Sequence, residues 1–558
     1  MTAAPEIRPA RSSSPAQAPG SVPWIDRFPD AHPMRRPSAA GPLDGLLVAV
    51  KDNIDVEGAD TTAACPAREG RPATSSATVV DRLRAAGAGI AGKTNMDQFA
   101  TGLVGTRSPY GSCSSVVSDA HISGGSSSGS AVVVANGDVP LALGTDTAGS
   151  GRVPAAFNGI VGVKPTRGLL STAGVLPACH GLDCVTTFTR TVGEARDALA
   201  VLAAPDAADD WSRPAPALAP LGVARELRVL AVPAGELDLD PLHRAAWDAA
   251  VEHARTVAAH VVEVDVTDFL DAARLLYAPA FVAMRYAAFG AELAADGPHL
   301  DPSVRAIVLA GRDATAVELL AAQEELVRLR RRTERVWLDV DALLLPTTPT
   351  HPTHADVAAD PIGVNARLGS YTNFVNLLDL CAVAVPAGER SDGLPFGVQL
   401  IAPAFADQPL LDLADRWTGG AVRTPDASAG HSLVAVAGAH LTGLPLNGQL
   451  QRLGGRLHSR ARTAGGYRLY RLPGEGIARP GLLRTGDGPA GGIAIELWEL
   501  PHQGIGALTD LIPAPLGLGS VTTDDGRRVL GFLAEQYGTV GATDITSYGG
   551  WRAYVDNG

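Results

Sequence analysis

Cysteine is scarce in this sequence, and its few thiols are not arranged for cross-linking. The 558 residues include five cysteines, an odd number, and no two of them stand in a Cys-x-x-Cys pair. Disulfide frameworks and zinc sites both depend on paired thiols at characteristic spacings. We therefore predict reduced thiols, no metal site and a cytoplasmic location.

Positive charge and long apolar runs are also in short supply. Lysine and arginine number 46 against 59 acidic residues, which gives a net charge of −13. Nonspecific nucleic-acid binding needs basic patches, and a membrane-spanning helix needs about 20 consecutive apolar residues. The acidic balance disfavours the first, no apolar run reaches the length of the second, and the first residues lack the apolar core of a signal peptide. We predict no nucleic-acid partner and no membrane association.

What the chain does have is length and apolar content. Hydrophobic residues make up 46% of the 558 residues, so the chain is too long for one ordinary domain and can bury a large core. Changes in composition divide the chain into four regions. We predict a flexible tail at residues 1–40, a large domain at 41–423, a linker at 424–433 (TPDASAGHSL) and a small domain at 434–558.

The most informative segment runs from Ser123 to Lys164. It holds two turns rich in glycine and serine, each next to an apolar run that we expect to be buried. Such turns allow a backbone to approach a ligand closely and to present its N–H groups. Each turn offers one serine for chemistry, Ser126 in the first and Ser150 in the second. The other serines of the first turn are expected to hydrogen-bond within the loop.

A reactive serine needs a base for its proton and donors for the oxyanion that forms. No histidine stands near these serines in a Ser-His-Asp spacing, so lysine becomes the candidate base. Lys51 follows the strand-like run LLVAV at residues 46–50, and Lys93 is a rival; the alternative for Lys51 is a solvated lysine at a strand end. The candidate oxyanion donors are the backbone N–H groups of Thr147, Ala148, Gly149 and Ser150.

A lysine that acts as a base must be neutral, so its pKa must fall well below its usual value of roughly 10.4. Burial lowers the pKa of a lysine, whereas an adjacent carboxylate raises it. Asp52 follows Lys51 directly in the sequence. Because side chains alternate along a strand, we predict that Asp52 points away from Lys51.

Three motifs in order resemble the amidase signature family: VAVKDN, GGSSSGS and GTDTAGSGRVPAAFNGIVGVKPT. The resemblance runs from about residue 41 to about residue 403. It implies an α/β fold with a mixed, mostly doubly wound central sheet flanked by helices. It also implies a Ser-cisSer-Lys triad with Ser150 as nucleophile, Ser126 as bridging serine and Lys51 as base, and it implies no cofactor.

Two further motifs, MDQFATGLVGTRSPYG and LPACHGLDCVTTF, resemble one branch of that family, the allophanate hydrolases. The implied reaction is hydrolysis of allophanate (urea-1-carboxylate) to ammonia and carbon dioxide. It proceeds through N-carboxycarbamate, which then loses carbon dioxide. The resemblance further implies a small-molecule substrate and a homodimer.

An arginine in the apolar run RLLYAPAFVAMRYAAF needs a partner, because a buried charge without one is costly. Tyr277 and Arg285 stand eight residues apart, about two helical turns, and can share one helix face. The residues alone favour an internal acid as the partner of Arg285. The family resemblance instead implies that Tyr277 and Arg285 hold the carboxylate of the substrate.

The region after residue 434 consists of strand-like runs separated by turn signals, which predicts a small β-rich α+β domain. It resembles the C-terminal domain of allophanate hydrolases, with a γ-glutamylcyclotransferase-like fold. That resemblance implies that His440 assists decarboxylation of the product. The alternative is that His440 only forms hydrogen bonds within its loop.

Two other functions are compatible with the sequence. The chain could be another amidase of the same family, acting on a different small amide or supplying ammonia as an amidotransferase subunit. It could also be mainly an assembly subunit whose C-terminal domain binds partner enzymes of urea or cyanuric acid degradation.

Overall fold

The computed structural model describes residues 20–216, 229–258, 260–295, 297–420, 431–474 and 476–557. These residues form two compact units. The larger unit contains residues up to 214 and from 229 to 420, and the smaller contains those from 431 onward. Within the described ranges, no helix is both long and apolar enough to span a membrane.

The larger unit is built on a mixed sheet of 11 described strands in the order β1-β3-β2-β6-β8-β7-β12-β13-β11-β9-β10. Its strands, with the separate hairpin β4–β5, are β1 (Trp24–Arg27), β2 (Leu47–Lys51), β3 (Gly89–Thr94), β4 (Ser114–Ser115), β5 (Ser118–Ile122), β6 (Leu141–Asp146), β7 (Val161–Lys164), β8 (Cys184–Thr189), β9 (Val229–Pro233), β10 (His260–Val264), β11 (Ala342–Pro346), β12 (Leu380–Glu389) and β13 (Pro395–Pro403).

Thirteen described helices accompany this sheet. They are α1 (Thr78–Ala85), α2 (Ser128–Ala135), α3 (Val153–Phe157), α4 (Val192–Leu202), α5 (Pro241–Val257), α6 (Thr267–Leu275), α7 (Pro279–Ala294), α8 (Pro302–Leu309), α9 (Ala316–Thr333), α10 (His354–Ala359), α11 (Gly363–Leu368), α12 (Asn373–Leu377) and α13 (Asp407–Trp417). The predicted α/β class, with a mixed sheet flanked by helices, is confirmed.

Three neighbouring strands, β3, β2 and β6, position the candidate site. β2 pairs in parallel with β3 on one side and with β6 on the other. Their sequences are continuous small and apolar runs, because both faces of these strands are covered. Carboxyl ends of parallel strands meet at one edge of a sheet, so Lys51, Thr94 and Asp146 emerge together.

Helix α2 covers this part of the sheet and is apolar around most of its circumference. Ala131, Val133 and Val134 pack in one buried cluster with Ala142 and Phe188 of the sheet. The helix begins at Ser128, directly after the first Gly/Ser turn. The turn is therefore held between a buried helix and the strand edge.

The predicted flexible tail of residues 1–40 is wrong for its last part. Trp24–Arg27 forms strand β1, which pairs antiparallel with β3. Phe28 and Met34 are buried as well. Residues 1–19 lie outside the described residues. The Pro- and Arg-rich composition concealed a short apolar segment, VPWIDRF, that becomes the edge of the sheet.

The smaller unit contains a five-stranded sheet, ordered β15-β18-β14-β20-β19, and a three-stranded sheet, ordered β17-β16-β21. Its elements are β14 (His431–Val436), α14 (Asn447–Arg452), β15 (Arg456–Arg462), β16 (Tyr467–Arg471), β17 (Pro480–Arg484), β18 (Ala494–Pro501), α15 (His502–Thr509), β19 (Leu516–Thr522), β20 (Arg528–Ala534), β21 (Thr543–Asp544) and α16 (Trp551–Asn557). The predicted β-rich α+β character is confirmed, and the γ-glutamylcyclotransferase-like fold stays a prediction.

The core of the smaller unit is formed around Trp498, Tyr467 and Trp551, with aliphatic residues from both sheets. The end of the predicted linker belongs to this unit, since strand β14 begins at His431. Residues 421–430, which include the rest of that linker, lie outside the described residues.

Candidate active site

Lys51 reaches a buried pair of hydroxyl groups at the end of β2. Its Nζ atom lies 2.8 Å from Ser126 Oγ and 2.8 Å from Thr145 Oγ1. All three residues are at most 3% exposed. The peptide bond between Gly125 and Ser126 is cis. The structure therefore brings together the predicted base and the predicted bridging serine.

Burial determines the charge of this lysine. Removal from water lowers the pKa of Lys51 from 10.5 to about 7, although three carboxylates act in the opposite direction. These carboxylates belong to Asp97, Asp146 and Asp183. None of them forms an ion pair with Lys51 in the part of the chain that the structure describes. A lysine with this pKa is about half neutral at pH 7, and the neutral form can accept a proton.

Lys93, the rival base, lies on the neighbouring strand β3 and has a different environment. Its Nζ lies 3.4 Å from Asp52 Oδ1, and it also donates to the Asp60 carbonyl and the Thr61 hydroxyl. Asp52 thus faces Lys93 and points away from Lys51, as predicted. This pairing leaves Lys51 without the adjacent carboxylate that would keep it charged.

Ser150 is buried in the second turn and is 3% exposed. Its Oγ donates to the Gly102 carbonyl over 3.4 Å. No hydrogen bond joins Ser150 to Ser126 among the described residues. The contact between Lys51 and Ser126 is therefore formed, whereas Ser126 and Ser150, the predicted nucleophile, are not hydrogen-bonded. The prediction that the other serines of the first turn hydrogen-bond within the loop is wrong. Their hydroxyls donate to carbonyls of neighbouring segments, Ser127 to Thr145, Ser128 to Asn95 and Ser130 to Leu143, because the turn packs directly against the ends of the strands.

Hydrogen bonds to the Asp146 carboxylate fix the second turn. This carboxylate accepts the backbone N–H groups of Gly149 (2.8 Å) and Gly151 (3.0 Å). The same carboxylate forms a fully buried pair with Arg152, in which Nε and Nη2 donate to its two oxygens. The role of this pair is therefore structural.

One of the four predicted oxyanion donors is already occupied. Because the Gly149 N–H donates to Asp146, it cannot also be directed at a substrate oxygen. For the backbone N–H groups of Thr147, Ala148 and Ser150, no hydrogen bond to another described residue is found. Gly149 instead meets a steric need, since a Cβ there would lie 2.4 Å from Thr372 Oγ1.

The predicted carboxylate clamp lies near helix α7, but not on one helix face. α6 ends at Leu275 and α7 begins at Pro279, so Tyr277 lies in the connection and only Arg285 is helical. The interval is apolar throughout and so resembles one continuous helix, but Pro279 starts a new helix instead. The two side chains are still close enough for the Arg285 charge to act on the pKa of Tyr277, which burial raises.

Arg285 is buried without an ion pair among the described residues. It is 6% exposed, and no carboxylate of the described residues lies within 4 Å of its guanidinium. Its buried Nε has no hydrogen-bond partner. The internal acid that the residues alone favoured does not form an ion pair with Arg285, although the Arg285 charge acts to lower the pKa of the buried Asp183 carboxyl, which burial raises. An anionic ligand is the kind of group that would pair directly with this guanidinium.

Thr145 is a site residue that the sequence interpretation missed. Its hydroxyl accepts from Lys51 and, at 3.3 Å, from Asn53 Nδ2. Its place at the carboxyl end of β6, in register beside β2, is the signal that could have revealed it. The strand pairing that brings the two residues together is not visible from the order of the sequence alone.

Comparison with known proteins places this geometry in a family. Residues 30–411 match the family model described as Amidase, and residues 432–556 match the model of the allophanate hydrolase C-terminal domain. The chain belongs to the amidase family. It joins an amidase domain to an allophanate hydrolase C-terminal domain, so the resemblance found in the motifs is confirmed.

Individual relatives agree with this assignment. A structure of Kluyveromyces lactis allophanate hydrolase is 38% identical, with a TM-score of 0.80, over 98% of this chain and 94% of that one. The urea amidolyase of Lachancea kluyveri is 43% identical over 92% of this chain, but the chain spans only 30% of that protein. A glutamyl-tRNA(Gln) amidotransferase subunit of Natronomonas pharaonis is 36% identical over 67% of this chain and 95% of its own length.

The allophanate hydrolase C-terminal domain has a pocket of its own. His440 lines it, with Gln449, Arg479 and Phe532. His440 Nε2 lies 3.0 Å from Gln449 Oε1, and its ring stacks on Phe532 at 4.9 Å. Burial lowers the pKa of His440, which favours a neutral imidazole.

No group of three His, Cys, Asp or Glu side chains in the described ranges is arranged to hold a metal ion. The five cysteines are all free and buried.

Proposed function

We propose that this chain is an allophanate hydrolase, which cleaves urea-1-carboxylate to ammonia and N-carboxycarbamate, and that the latter loses carbon dioxide. The observation that carries the proposal is the 2.8 Å contact between Lys51 Nζ and Ser126 Oγ in a buried site. Similarity to Kluyveromyces lactis allophanate hydrolase across both domains supports this choice of substrate.

The substrate carboxylate binds to Arg285 and Tyr277. The buried guanidinium offers two parallel N–H donors, which match the geometry of a carboxylate. Tyr277 adds a hydroxyl donor, since burial keeps its phenol protonated. This contact directs the terminal amide of the substrate toward Ser150.

The chemical step begins with neutral Lys51, which accepts the Ser126 proton while Ser126 accepts the proton of Ser150. Ser150 Oγ forms a bond to the terminal amide carbon, and the carbonyl oxygen becomes an oxyanion. The N–H groups of Thr147, Ala148 and Ser150 are the available donors for it. Loss of one such donor costs about 3–4 kcal/mol in other hydrolases.

The tetrahedral intermediate then breaks its C–N bond, and the proton held by Lys51 returns through Ser126 to the leaving ammonia. Water attacks the acyl-enzyme by the same proton route and releases N-carboxycarbamate. His440, a neutral imidazole in the pocket of the smaller unit, is our candidate for assisting the loss of carbon dioxide. Replacement of His440 by Asn should then delay carbon dioxide release relative to ammonia release.

The test of the triad is ammonia release from pure allophanate by the full chain. Ser150→Ala should abolish ammonia release and leave the melting temperature near that of the wild type. Ser128→Ala is the matched control, because this serine belongs to the first turn and its hydroxyl bonds to the Asn95 carbonyl rather than to Lys51. Retained turnover in Ser150→Ala would remove the assignment.

The test of the clamp compares two substrates. Arg285→Gln should raise KM for allophanate steeply and change the hydrolysis of a neutral amide little. Arg285→Lys, which keeps the charge but not the fork, should recover only part of the affinity. Equal losses on both substrates would mean that Arg285 is structural, and wild-type turnover of simple amides without any of allophanate would favour a general amidase or an amidotransferase subunit.

We further propose that the protein is a cytoplasmic homodimer that works beside partner enzymes of urea or cyanuric acid degradation. The support is that the matching urea amidolyases carry this segment as only 30% of a longer protein. Gel filtration, alone and with candidate partner enzymes, would separate monomer, dimer and mixed complex.

A further inference from the structure

The carboxylate of Asp97 lies between the two serine turns, and the steps proposed above do not use it. Asp97 is fully buried, directly before the short helical turn at Gln98–Ala100. Its Oδ2 accepts the backbone N–H groups of Val104 (3.1 Å) and Gly105 (3.0 Å), and its Oδ1 accepts that of Arg107 (3.0 Å). A group that only accepts suits three donors of this kind.

This carboxylate is in contact with the loop that carries the acceptor of Ser150. The Ser150 hydroxyl donates to the Gly102 carbonyl. A Cβ added at Gly102 would lie 2.5 Å from Asp97 Oδ2, so the loop passes directly over the carboxylate. The position of the Gly102 carbonyl therefore depends on Asp97.

The same residue also fixes the first serine turn. The Asp97 backbone N–H donates to the Ser126 carbonyl over 3.0 Å. A Cβ at Gly125 would lie 2.1 Å from Asp97 Oδ2, which shows how closely this turn packs on the carboxylate. One side chain and its own backbone thus touch the supports of both serines.

We propose that Asp97 is a positioning residue, which holds the loop 102–107 and the turn at Ser126 so that Ser150 and Ser126 face one another correctly, and whose negative charge acts on Lys51. This inference rests on the proposed hydrolysis. It adds a residue that touches neither substrate nor reacting atoms and still decides how reactive Ser150 is.

The charges around the two groups define the pH effect. The carboxylates whose charges raise the pKa of Lys51 are Asp97, Asp146 and Asp183, of which Asp146 is paired with Arg152 and Asp183 bonds to the Thr147 hydroxyl. Burial raises the pKa of Asp97, whereas the Arg107 guanidinium and the three N–H donors favour its ionised form. Because a nearby anion stabilises a protonated lysine, loss of the Asp97 charge should lower the pKa of Lys51.

The experiment measures the reactivity of Ser150 directly. The full chain is treated with phenylmethanesulfonyl fluoride, and the rate of sulfonylation is followed by intact mass from pH 5 to pH 9. In this step the serine Oγ–S bond forms, the S–F bond breaks, and the serine proton leaves through Ser126 to Lys51. Ser150→Ala is the blank, and the result does not depend on which amide is the substrate.

Asp97→Asn should lower the plateau rate by about 100-fold, since small misplacements of a reacting group have effects of that size. It should also shift to lower pH the acid limb of the profile, where the rate rises with pH as Lys51 loses its proton. Gly102→Ala keeps the charge and displaces the carboxylate, so it should lower the plateau and leave the limb in place. Asp138→Asn, an exposed carboxylate that does not act on Lys51, is the control and should change neither.

A folded Asp97→Asn protein with the wild-type plateau would overturn the proposal. A lowered plateau with an unmoved acid limb would also overturn it, because Asp97 would then be merely structural. If Asp97→Asn does not fold, Gly102→Ala decides, and a folded protein with the wild-type plateau is again a refutation. Failure of the wild type to release ammonia from allophanate would instead refute the proposed function and leave this profile measurable.

Discussion

Lys51 and Lys93 occupy nearly the same place in the fold and differ in what surrounds them. Lys51 is the last residue of β2 and Lys93 the last but one of the adjacent parallel strand β3, in a register where Lys51 is opposite Thr94, and neither is more than 1% exposed. Burial lowers the pKa of both lysines. Lys51 meets two hydroxyl groups, whereas Lys93 meets the Asp52 carboxylate.

This difference separates a base from a structural cation. A carboxylate at 3.4 Å stabilises the charged form of Lys93 and offsets part of the cost of its burial. Burial has the largest effect on the pKa of both lysines, but hydroxyl groups stabilise the charged form far less than a paired carboxylate does, so Lys51 has a lone pair free for a proton. The comparison teaches that the neighbour of a buried lysine, more than its depth, decides its chemistry.

The largest expected effect is on turnover. Lys51→Met, which keeps length and apolar bulk, should reduce ammonia release by at least about 1,000-fold, the scale of a lost general base. Lys93→Met, measured per folded molecule, should keep turnover in the wild-type range, because Lys93 does not contact Ser126. Steady-state rates of both variants on allophanate check this. Equal losses would mean that the two lysines form one functional unit.

The next effect is on stability, where Lys93 should matter more than Lys51. Lys93→Met should lower the free energy of unfolding by roughly 3–5 kcal/mol, because it leaves the buried Asp52 carboxylate without its cation. Adding Asp52→Asn should recover part of this loss, since the uncompensated charge is removed. Urea denaturation of the single and double variants is the measurement. A double variant that is less stable than Lys93→Met would show that the Asp52 contacts to Thr62 and Ala64 matter more than its charge.

Much of the site could be predicted from the sequence because its signals are local. Sequence motifs indicate the paired Gly/Ser turns, and the apolar strand pattern indicates the lysine at its end. Alternation of side chains along a strand predicts that Asp52 points away from Lys51. Each of these depends on a few neighbouring residues. Such features do not depend on how distant segments of the chain pack.

The features that were missed depend on contacts between distant segments. Thr145 reaches Lys51 only through the pairing of β2 with β6, and Asp97 reaches Ser126 and Gly102 across loops. The sequence places Trp24–Arg27 in the tail because a short strand at a sheet edge has little periodicity of its own. The sequence also offers Gly149 as an oxyanion donor, and only the structure reveals Asp146 as its partner.

The smallest effect is the pH dependence of stability at Lys51. Its pKa is about 7 in the folded protein and 10.5 as the ordinary value, so between these pH values the unfolded chain binds more protons. Stability from this group therefore increases as pH rises through the window, by up to about 1.4 kcal/mol per pH unit. Lys51→Met lacks this titrating group, so its free energy of unfolding should depend less steeply on pH.

The measurement is urea unfolding of the wild type and Lys51→Met at pH 7, 8 and 9. Because Lys93 and all other groups are common to both proteins, their contributions cancel in the difference. The wild type should gain stability relative to the variant at each step toward higher pH. Parallel curves would mean that Lys51 keeps its proton in the folded protein, and the contrast with Lys93 would then disappear along with the proposed base.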